Sequence, residues 1–309
     1  MKRTFHLSMF LLSLLSLCLL GVPAFAEQPQ TVYVALGDSI TAGIGLPDVQ
    51  YAFAESGAYD MTDNYQGYSA DCYVALVAQG IGSDQEHAQN YGLPAASSSD
   101  LAALLAACVD GDPELLAAQR YNVSALPELL KSADVVSVQV GSNDAFVTTV
   151  GALGKATNQK VVPSVYAFMT GALRDMTPAK LLEFFFSVNE IELTTEEETA
   201  LWNTLLFGIG EICNEAYPQV TANLEQIVQN IRALNPDTQI LLLGYYNPVP
   251  ISVDWSLYFG RLNRFERQLA RQYEGVTYVP LTGTPTAVDA HPSVRGHRFI
   301  ARKILNAIA

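Results

Sequence analysis

The chain has 309 residues, of which 50% are hydrophobic and 16% are charged, and its formal net charge at pH 7 is −14. A surface this negative repels nucleic-acid phosphates and anionic membranes, so the composition argues against partners of either kind. The length suits one large domain, and the apolar residues are numerous enough to fill its core.

Residues 1–26 have the pattern of an export signal. Lys2 and Arg3 provide a positive start, an apolar run extends from Met9 to Val22, and Ala24-Phe25-Ala26 has the small residues of a cleavage site. We expect cleavage near Ala26, release of residues 27–309 as one domain, and a location outside the cell or at the cell envelope. The run is too short to span a bilayer comfortably, and no later segment is long and apolar enough to do so.

Strand and helix patterns alternate along most of the chain. Short runs of β-branched and aromatic residues predict buried strands at 31–36, 135–140, 239–246 and 276–281, with a weaker candidate at 87–92. Helical spacing of apolar residues predicts helices at 68–81, 99–108, 218–234, 254–273 and 293–308. Ser98 or Ser99 is expected as an N-cap, as is Asp254, and Pro218 suits a first helical position. This alternation predicts an α/β domain whose parallel sheet is covered on both faces.

Residues 151–213 interrupt the alternation, because they contain no convincing strand. Thr177-Pro178 is expected to open one short helix, and the segment from Thr194 to Glu197 has the pattern of a capping box that opens another. We therefore predict a helical insertion in the α/β domain and not an independent domain.

Three short polar segments fall at the carboxyl ends of strands or before the last helix, where such a sheet places its ligand site. In Gly37-Asp38-Ser39-Ile40, a Ser on a tight turn exposes its hydroxyl. In Gly141-Ser142-Asn143-Asp144, an Asn amide can donate a hydrogen bond to an oxyanion. Asp289-Ala290-His291-Pro292 supplies an imidazole, the usual base for a hydrolytic Ser. Each segment alone also fits an ordinary turn or helix cap.

His291 is the best candidate for a base among the three histidines that follow the export signal. His87 lies among polar residues and is expected at the surface. His297 lies inside the last predicted helix, which is typical of a packing residue or a member of a polar network. His291 is followed by Pro292 and has an acidic residue two positions earlier.

The order Gly-Asp-Ser, Gly-x-Asn-Asp and Asp…His-Pro…Gly-His, from Gly37 to His297, resembles the SGNH (GDSL-type) hydrolase family. The resemblance implies a flavodoxin-like three-layer α/β/α fold and an esterase or lipase activity that needs no cofactor. It implies that Ser39 is the nucleophile, that His291 is its general base and that Asp289 is the acid of the triad. It also implies an oxyanion hole with three donors, of which the Ser39 N–H and the Asn143 side chain are two.

Two positions depart from the pattern of that family. Ala95 stands at the position of the usual glycine that supplies the third oxyanion donor, and Gly92, three residues earlier, is the alternative. An Ala N–H can donate as well as a Gly N–H, provided that its φ is negative. The family usually has Asp-x-x-His, whereas Val288 stands at that Asp position here. Either Asp289 reaches the imidazole of His291 by another loop path, or a backbone carbonyl orients the ring and leaves a dyad.

The predicted insertion favours esters with a hydrophobic acyl chain, either as small molecules or on a polymer. Packing of the insertion onto the sheet is the more common role for its apolar residues, which are Val161–Met169, Phe184-Phe185-Phe186 and Trp202. A carbohydrate O-acetyl esterase is an alternative, with Tyr51, Tyr59 and Tyr65 as platforms for a sugar. A non-catalytic carbohydrate- or lipid-binding module and an acyltransferase are further alternatives.

The cysteine pattern leaves two redox states open. Cys72, Cys108 and Cys213 remain after cleavage, and an odd number cannot be fully paired within one chain. A Cys72–Cys108 disulfide and three buried free thiols fit the sequence about equally well. No spacing of Cys and His residues predicts a metal site.

Overall fold

A parallel sheet of five short strands lies at the centre of the computed structural model. Numbered in chain order together with two further strands, they are β1 (Tyr33–Gly37), β2 (Ala52–Phe53), β3 (Tyr59–Asp60), β4 (Ala88–Gly92), β5 (Val135–Gln139), β6 (Gln239–Leu243) and β7 (Val276–Val279). The order across the sheet is β4-β1-β5-β6-β7, and every neighbouring pair is parallel. When these five strands alone are numbered in chain order, the order is 2-1-3-4-5, which is that of flavodoxin-like domains. β2 and β3 form a separate antiparallel pair.

The structure describes residues 30–49, 52–53, 59–60, 69–84, 86–117, 123–169, 179, 187, 190–248, 252–287 and 290–308, and for 52–53, 59–60, 117 and 166–169 it describes the backbone alone. The helices in this part of the chain include α1 (Ser39–Ala42), α2 (Tyr73–Ile81), α3 (Ser98–Asp110), α4 (Pro113–Ala117), α5 (Leu126–Ser132), α6 (Asn143–Ala156), α7 (Val162–Met169), α8 (Thr195–Asn203), α9 (Ile209–Leu234), α10 (Val253–Gln272) and α11 (Val294–Ile308). A π-helical segment, Thr204–Gly208, joins α8 to α9. None of the described helices combines the length and the apolar character needed to cross a membrane. The predicted export signal lies outside the described residues.

Alternate strand residues fill two apolar cores, one on each face of the sheet. Val34 and Leu36 of β1 belong to one core, together with residues of α3, α5, α9 and α10. Tyr33 and Ala35 belong to the other core, together with residues of α2 and α11. Side chains alternate between the two faces of a strand, so both faces of this sheet present apolar residues. A layer of helices covers each of them. The predicted flavodoxin-like three-layer α/β/α architecture is confirmed.

Pro218 is not at the start of its helix, so the predicted role of this residue is wrong. α9 begins nine residues earlier, at Ile209, and Pro218 lies inside it. A proline inside a helix costs about 3 kcal/mol, because it removes one hydrogen bond and clashes with the preceding turn. Ile209 and Cys213 are buried in the same core as Val220 and Leu224. Burial of that first part of the helix offsets the cost of the proline.

Two predicted helix caps are also wrong by one or two residues. Ser97 caps α3, and it forms a capping box with Asp100, which excludes Ser98 and Ser99 as the cap. Ser252 caps α10 by accepting the Trp255 N–H, so Asp254 lies in the first helical turn. The reciprocal bond to Asp100, three residues on, is what selects Ser97 among three consecutive serines.

The described part of the predicted insertion is helical. α6 and α9 run across its predicted limits at 151 and 213, with α7 and α8 between them. Thr194 caps α8 through a capping box with Glu197, as predicted. Thr177-Pro178 lies outside the described residues.

Cys72, Cys108 and Cys213 are all free and buried. The sequence leaves open a Cys72–Cys108 disulfide or three free thiols, and the structure has three free thiols. Burial raises the pKa of the Cys72 thiol to about 12, which keeps it protonated near neutral pH.

Candidate active site

The ends of β1 and β5 bring two of the predicted polar segments together. The two strands are neighbours in register, with Gly37 opposite Gln139, so the chain leaves both strands at the same edge of the sheet. Ser39 begins α1 just beyond β1, and Asn143 begins α6 just beyond β5. β1 also pairs with β4 on its other side, so the strand order reverses here, where doubly wound sheets bind ligands.

The third predicted segment places His291 against Ser39. The His291 Nε2 atom lies 3.0 Å from the Ser39 Oγ atom, although 252 positions separate the two residues in the sequence. Both residues are partly exposed, so a substrate can reach them. The structure brings this pair together as the sequence predicts, while the catalytic roles of the two residues stay a prediction.

Hydrogen bonds restrain the loop that carries His291. The Ala287 N–H donates to the His291 carbonyl at 2.8 Å, and the Tyr246 hydroxyl donates to the Ala290 carbonyl at 3.1 Å. Ala290 has a φ of 69°, in the left-handed region that L-residues seldom adopt. Asp289, the predicted acid of the triad, lies outside the described residues, so both predicted ways of orienting the ring stay predictions.

The other two histidines lie where the sequence predicts them. His297 is fully buried, and its Nδ1 atom accepts the Tyr73 N–H at 3.2 Å. His87 is partly exposed and its Nδ1 atom lies 2.7 Å from Asp84 Oδ1. Neither contact involves Ser39 or His291.

The loop after β4 contains Ala95, the predicted third oxyanion donor. The Ala96 N–H donates to the Leu93 carbonyl at 2.9 Å and closes a β-turn with Pro94 and Ala95 at its centre. The φ of Ala95 is 62°. A proline followed by a residue with positive φ is the pattern of a type II turn, in which the second central residue is usually glycine. The condition of a negative φ is therefore not met, because closure of this turn imposes the left-handed conformation. The Ala95 N–H is a hydrogen-bond donor in either conformation.

Gly92, the alternative third donor, is engaged elsewhere. Its N–H donates to Asn90 Oδ1 at 2.9 Å. It also lies so close to α1 that a Cβ atom at this position would be 2.1 Å from the Ala42 nitrogen. The Ala95 N–H, by contrast, has no hydrogen-bond partner within the described ranges. Of the two candidates, Ala95 is the one whose N–H is available.

Asn143 links the Ala95 turn to α6 and keeps a donor available. Its Nδ2 atom donates to the Ala96 carbonyl at 2.9 Å. A carboxamide has two N–H groups, so the second can donate to another acceptor. The Ser39 N–H likewise has no partner in the part of the chain that is described. Asn143 and Ser39 line the same cavity.

Two buried tyrosines and a glycine fix the turn that precedes Asn143. The Tyr245 hydroxyl donates to the Val140 carbonyl at 2.5 Å, and the Tyr258 hydroxyl donates to the Gly141 carbonyl at 3.0 Å. Gly141 has a φ of 117°, which favours glycine strongly. A Cβ atom on Gly141 would also lie 2.8 Å from the Tyr245 hydroxyl oxygen. The turn therefore has little freedom to move.

Asp38 lies fully buried at the end of β1, next to the proposed nucleophile. Its Oδ1 atom accepts the Ile40 N–H at 3.0 Å, and its Oδ2 atom accepts the Ser142 hydroxyl at 2.8 Å. Burial raises the pKa of Asp38 to about 6, against the lowering effect of these hydrogen bonds and of His291. The sequence does not predict Asp38 or Ser142 as functional. The available signal, an Asp before a Ser at a strand end, is typical of any Asx-turn.

An apolar cavity of about 270 Å³ lies beside Ser39 and His291. Its wall includes Phe146 and Leu153 of α6 and Trp255 of α10. The rings of Phe146 and Trp255 stack with their centroids 4.2 Å apart. Concave sites with aromatic and aliphatic walls and a few polar groups are typical of sites for small apolar ligands.

The residues that form the cavity differ in part from those that the sequence predicts. Val165 of the predicted insertion lines it, as does Leu205 of the π-helical segment. Trp202 is 54% exposed, and Phe184-Phe185-Phe186 lies outside the described residues. The sequence does not predict that the aromatic residues of α10 line the cavity. Their helical spacing, Trp255 followed by Phe259, nevertheless indicates a buried face.

The fold and the site together define a class of protein. It is the class of α/β proteins in which a serine hydroxyl meets an imidazole at the carboxyl edge of a flavodoxin-like sheet, an arrangement typical of hydrolases. The chain belongs to the GDSL-like lipase/acylhydrolase family, which it matches over residues 35–299. The predicted family resemblance is thus confirmed.

Two solved structures share the fold. One is an extracellular lipase from Streptomyces rimosus, with 17% identity, a TM-score of 0.51, and coverage of 90% of this chain and 100% of that chain. The other is a carbohydrate esterase family 2 enzyme with a carbohydrate binding domain from Corynascus thermopiles (Myceliophthora fergusii), with 14% identity, a TM-score of 0.50, and coverage of 92% and 67% respectively. At these identities the similarity concerns the fold alone. No curated protein matches the sequence.

Proposed function

We propose that the chain is a serine esterase that hydrolyses carboxylic esters with an apolar acyl group. Membership of the GDSL-like lipase/acylhydrolase family supports ester hydrolysis. The distance of 3.0 Å between Ser39 Oγ and His291 Nε2 carries the assignment of nucleophile and base. The apolar cavity beside this pair supports the preference for the acyl group.

Acylation begins with proton transfer from the Ser39 hydroxyl to His291 Nε2 as Oγ attacks the ester carbonyl carbon. The resulting tetrahedral intermediate carries an oxyanion. Its collapse breaks the bond between the carbonyl carbon and the alkoxy oxygen, and protonated His291 gives its proton to the leaving alcohol. In deacylation His291 takes a proton from water as the water attacks the acyl-enzyme. The second collapse releases the acid and returns the proton to Ser39.

Three donors are assigned to the oxyanion: the N–H groups of Ser39 and Ala95 and the second amide hydrogen of Asn143. The two backbone groups have no other partner among the described residues, and Asn143 borders the cavity that contains Ser39. Loss of one oxyanion donor typically lowers kcat by about 10²–10³, or about 2.7–4 kcal/mol.

The cavity favours acyl chains longer than acetyl. Each CH₂ group that leaves water contributes about 0.8 kcal/mol, whereas an acetyl group leaves most of a cavity of about 270 Å³ unfilled. A carbohydrate O-acetyl esterase would have the opposite preference.

A panel of p-nitrophenyl esters from acetate to palmitate tests this function. Turnover is expected to rise beyond acetate, and Ser39→Ala and His291→Ala are expected to lose it, whereas the matched control His87→Ala keeps it. A preference for acetate would overturn the assignment of the acyl group. Folded wild-type protein that hydrolyses no ester would favour a non-catalytic binding module. Ester products formed with competing alcohols would identify an acyltransferase.

We also infer export of the protein, from the charge and apolar pattern of residues 1–26. Expression of the full chain in a secreting host tests this inference. The mass of the released protein is expected to correspond to a chain that begins at Glu27. A chain that stays in the cytoplasm with residues 1–26 intact would contradict it.

A further inference from the structure

One hydrogen bond connects the turn of the proposed nucleophile to the turn of the proposed oxyanion donor. Asp38 immediately precedes Ser39, and Ser142 immediately precedes Asn143. The Ser142 hydroxyl donates to Asp38 Oδ2 at 2.8 Å, across 104 positions of sequence. Asp38 is fully buried and Ser142 is 9% exposed, so water competes little for this bond.

The other atoms of Asp38 hold the Ser39 turn itself. Oδ1 accepts the Ile40 N–H at 3.0 Å, which ties the residue before Ser39 to the residue after it. The Asp38 N–H donates to the Gln139 carbonyl at 3.1 Å and anchors the turn to β5. One carboxylate therefore restrains the Ser39 turn and reaches the Asn143 turn at the same time.

Ser142 completes the restraint of the Asn143 turn. Tyr245 and Tyr258 bind the carbonyl groups of Val140 and Gly141, which are the two residues before it. These tyrosines fix the turn relative to α10 and β6, whereas Ser142 fixes it relative to Ser39. An oxyanion hole needs this second restraint, because its donors must lie about 2.7–3.1 Å from one oxygen atom.

We propose that Ser142 is a positioning residue, whose hydrogen bond to Asp38 sets the distance between Ser39 and the Asn143 amide so that both meet the same oxyanion. The inference rests on the proposed function. A buried hydrogen bond of this kind can also serve stability alone, and the two roles predict different kinetics.

The first test compares Ser142→Ala with Ser137→Ala, measured with the best ester of the p-nitrophenyl panel. Ser137 is the matched control, because it is a fully buried serine of β5 whose hydroxyl bonds to the Tyr33 hydroxyl at 2.8 Å. We expect kcat to fall about tenfold or more in Ser142→Ala with KM nearly unchanged, since small displacements of oriented groups are costly in rate. Ser137→Ala is expected to lose stability but to keep its kcat. Equal kcat values in the two variants would overturn the proposal.

A double-mutant cycle asks whether Ser142 acts through Asn143. Once Asn143→Ala has removed the amide, the Asn143 turn has no donor left for Ser142 to position, so adding Ser142→Ala is expected to lower kcat less than about twofold further. If Ser142→Ala lowers kcat by the same factor with and without Asn143, the residue acts elsewhere and the proposal fails. If Ser142→Ala does not fold, Ser142→Cys takes its place in the cycle, because a thiol is a weak donor of similar size.

Ser39→Ala separates this inference from the function on which it rests. Turnover that survives in Ser39→Ala would refute the proposed nucleophile, whatever Ser142 does. Loss of turnover in Ser39→Ala, together with a wild-type kcat in Ser142→Ala, would refute the positioning role alone.

Discussion

Replacement of Ala95 by glycine tests the strained turn at the proposed oxyanion hole. The Ala95 φ of 62° costs an L-residue about 1–2 kcal/mol, and glycine removes this cost. Glycine also stabilises the unfolded state by about 0.4–1 kcal/mol, because it gives that state more conformational entropy. The net effect of Ala95→Gly on the free energy of unfolding is therefore expected to be a gain of about 0–1.6 kcal/mol.

Ala103→Gly is the matched control. Ala103 is an exposed residue inside α3, so glycine there costs about 1 kcal/mol without any relief of strain. Urea denaturation of both variants should show Ala95→Gly more stable than Ala103→Gly by about 1–2.6 kcal/mol, with equal m-values. The kcat of Ala95→Gly should stay close to that of the wild type, because the N–H is retained. Equal losses of stability in the two variants would refute the argument that this turn is strained.

Three further predictions concern the core and the cavity. Burial raises the pKa of Glu266 well above its usual range. The stability linked to this group is therefore present at low pH and is lost as pH rises toward the folded-state pKa. Glu266→Gln should raise the free energy of unfolding more at pH 8 than at pH 4, and equal gains would contradict this. Thr149 Oγ1 is buried with no hydrogen-bond partner among the described residues, whereas Thr157 Oγ1 donates to the Leu153 carbonyl at 2.8 Å. Thr149→Val should raise Tm while Thr157→Val lowers stability by about 1 kcal/mol, and calorimetry that finds the two alike would count against this assignment. Leu153→Trp should fill part of the cavity and shift the ester preference toward shorter acyl chains, and an unchanged preference in the p-nitrophenyl panel would place the acyl group elsewhere.

Local patterns predict the sheet and the neighbouring positions of Ser39 and Asn143 at its edge, whereas the resemblance to the SGNH family predicts the meeting of Ser39 and His291. Runs of β-branched residues specify strands, and polar segments at strand ends meet at one edge once the strands are parallel. This geometry accounts for Ser39 and Asn143, which follow β1 and β5. His291 lies on the loop between β7 and α11, so the motif order of the family is what links it to Ser39.

Features that depend on tertiary contacts are not predictable in this way. Pro218 is tolerated inside α9 because Ile209 and Cys213, in the part of the helix before the proline, are buried. The φ of Ala95 follows from closure of a turn that the residue type alone disfavours. The hydrogen bond of Ser142 to Asp38 joins segments 104 positions apart, and no local pattern indicates it.

Reaction with a fluorophosphonate tests the central claim most directly, because such a probe phosphonylates an activated serine. Intact mass and peptide mapping are expected to show one adduct per chain, on Ser39, no adduct in Ser39→Ala, and much slower labelling in His291→Ala. Folded wild-type protein that stays unlabelled, or an adduct that persists in Ser39→Ala, would contradict the assignment of Ser39 as a nucleophile activated by His291.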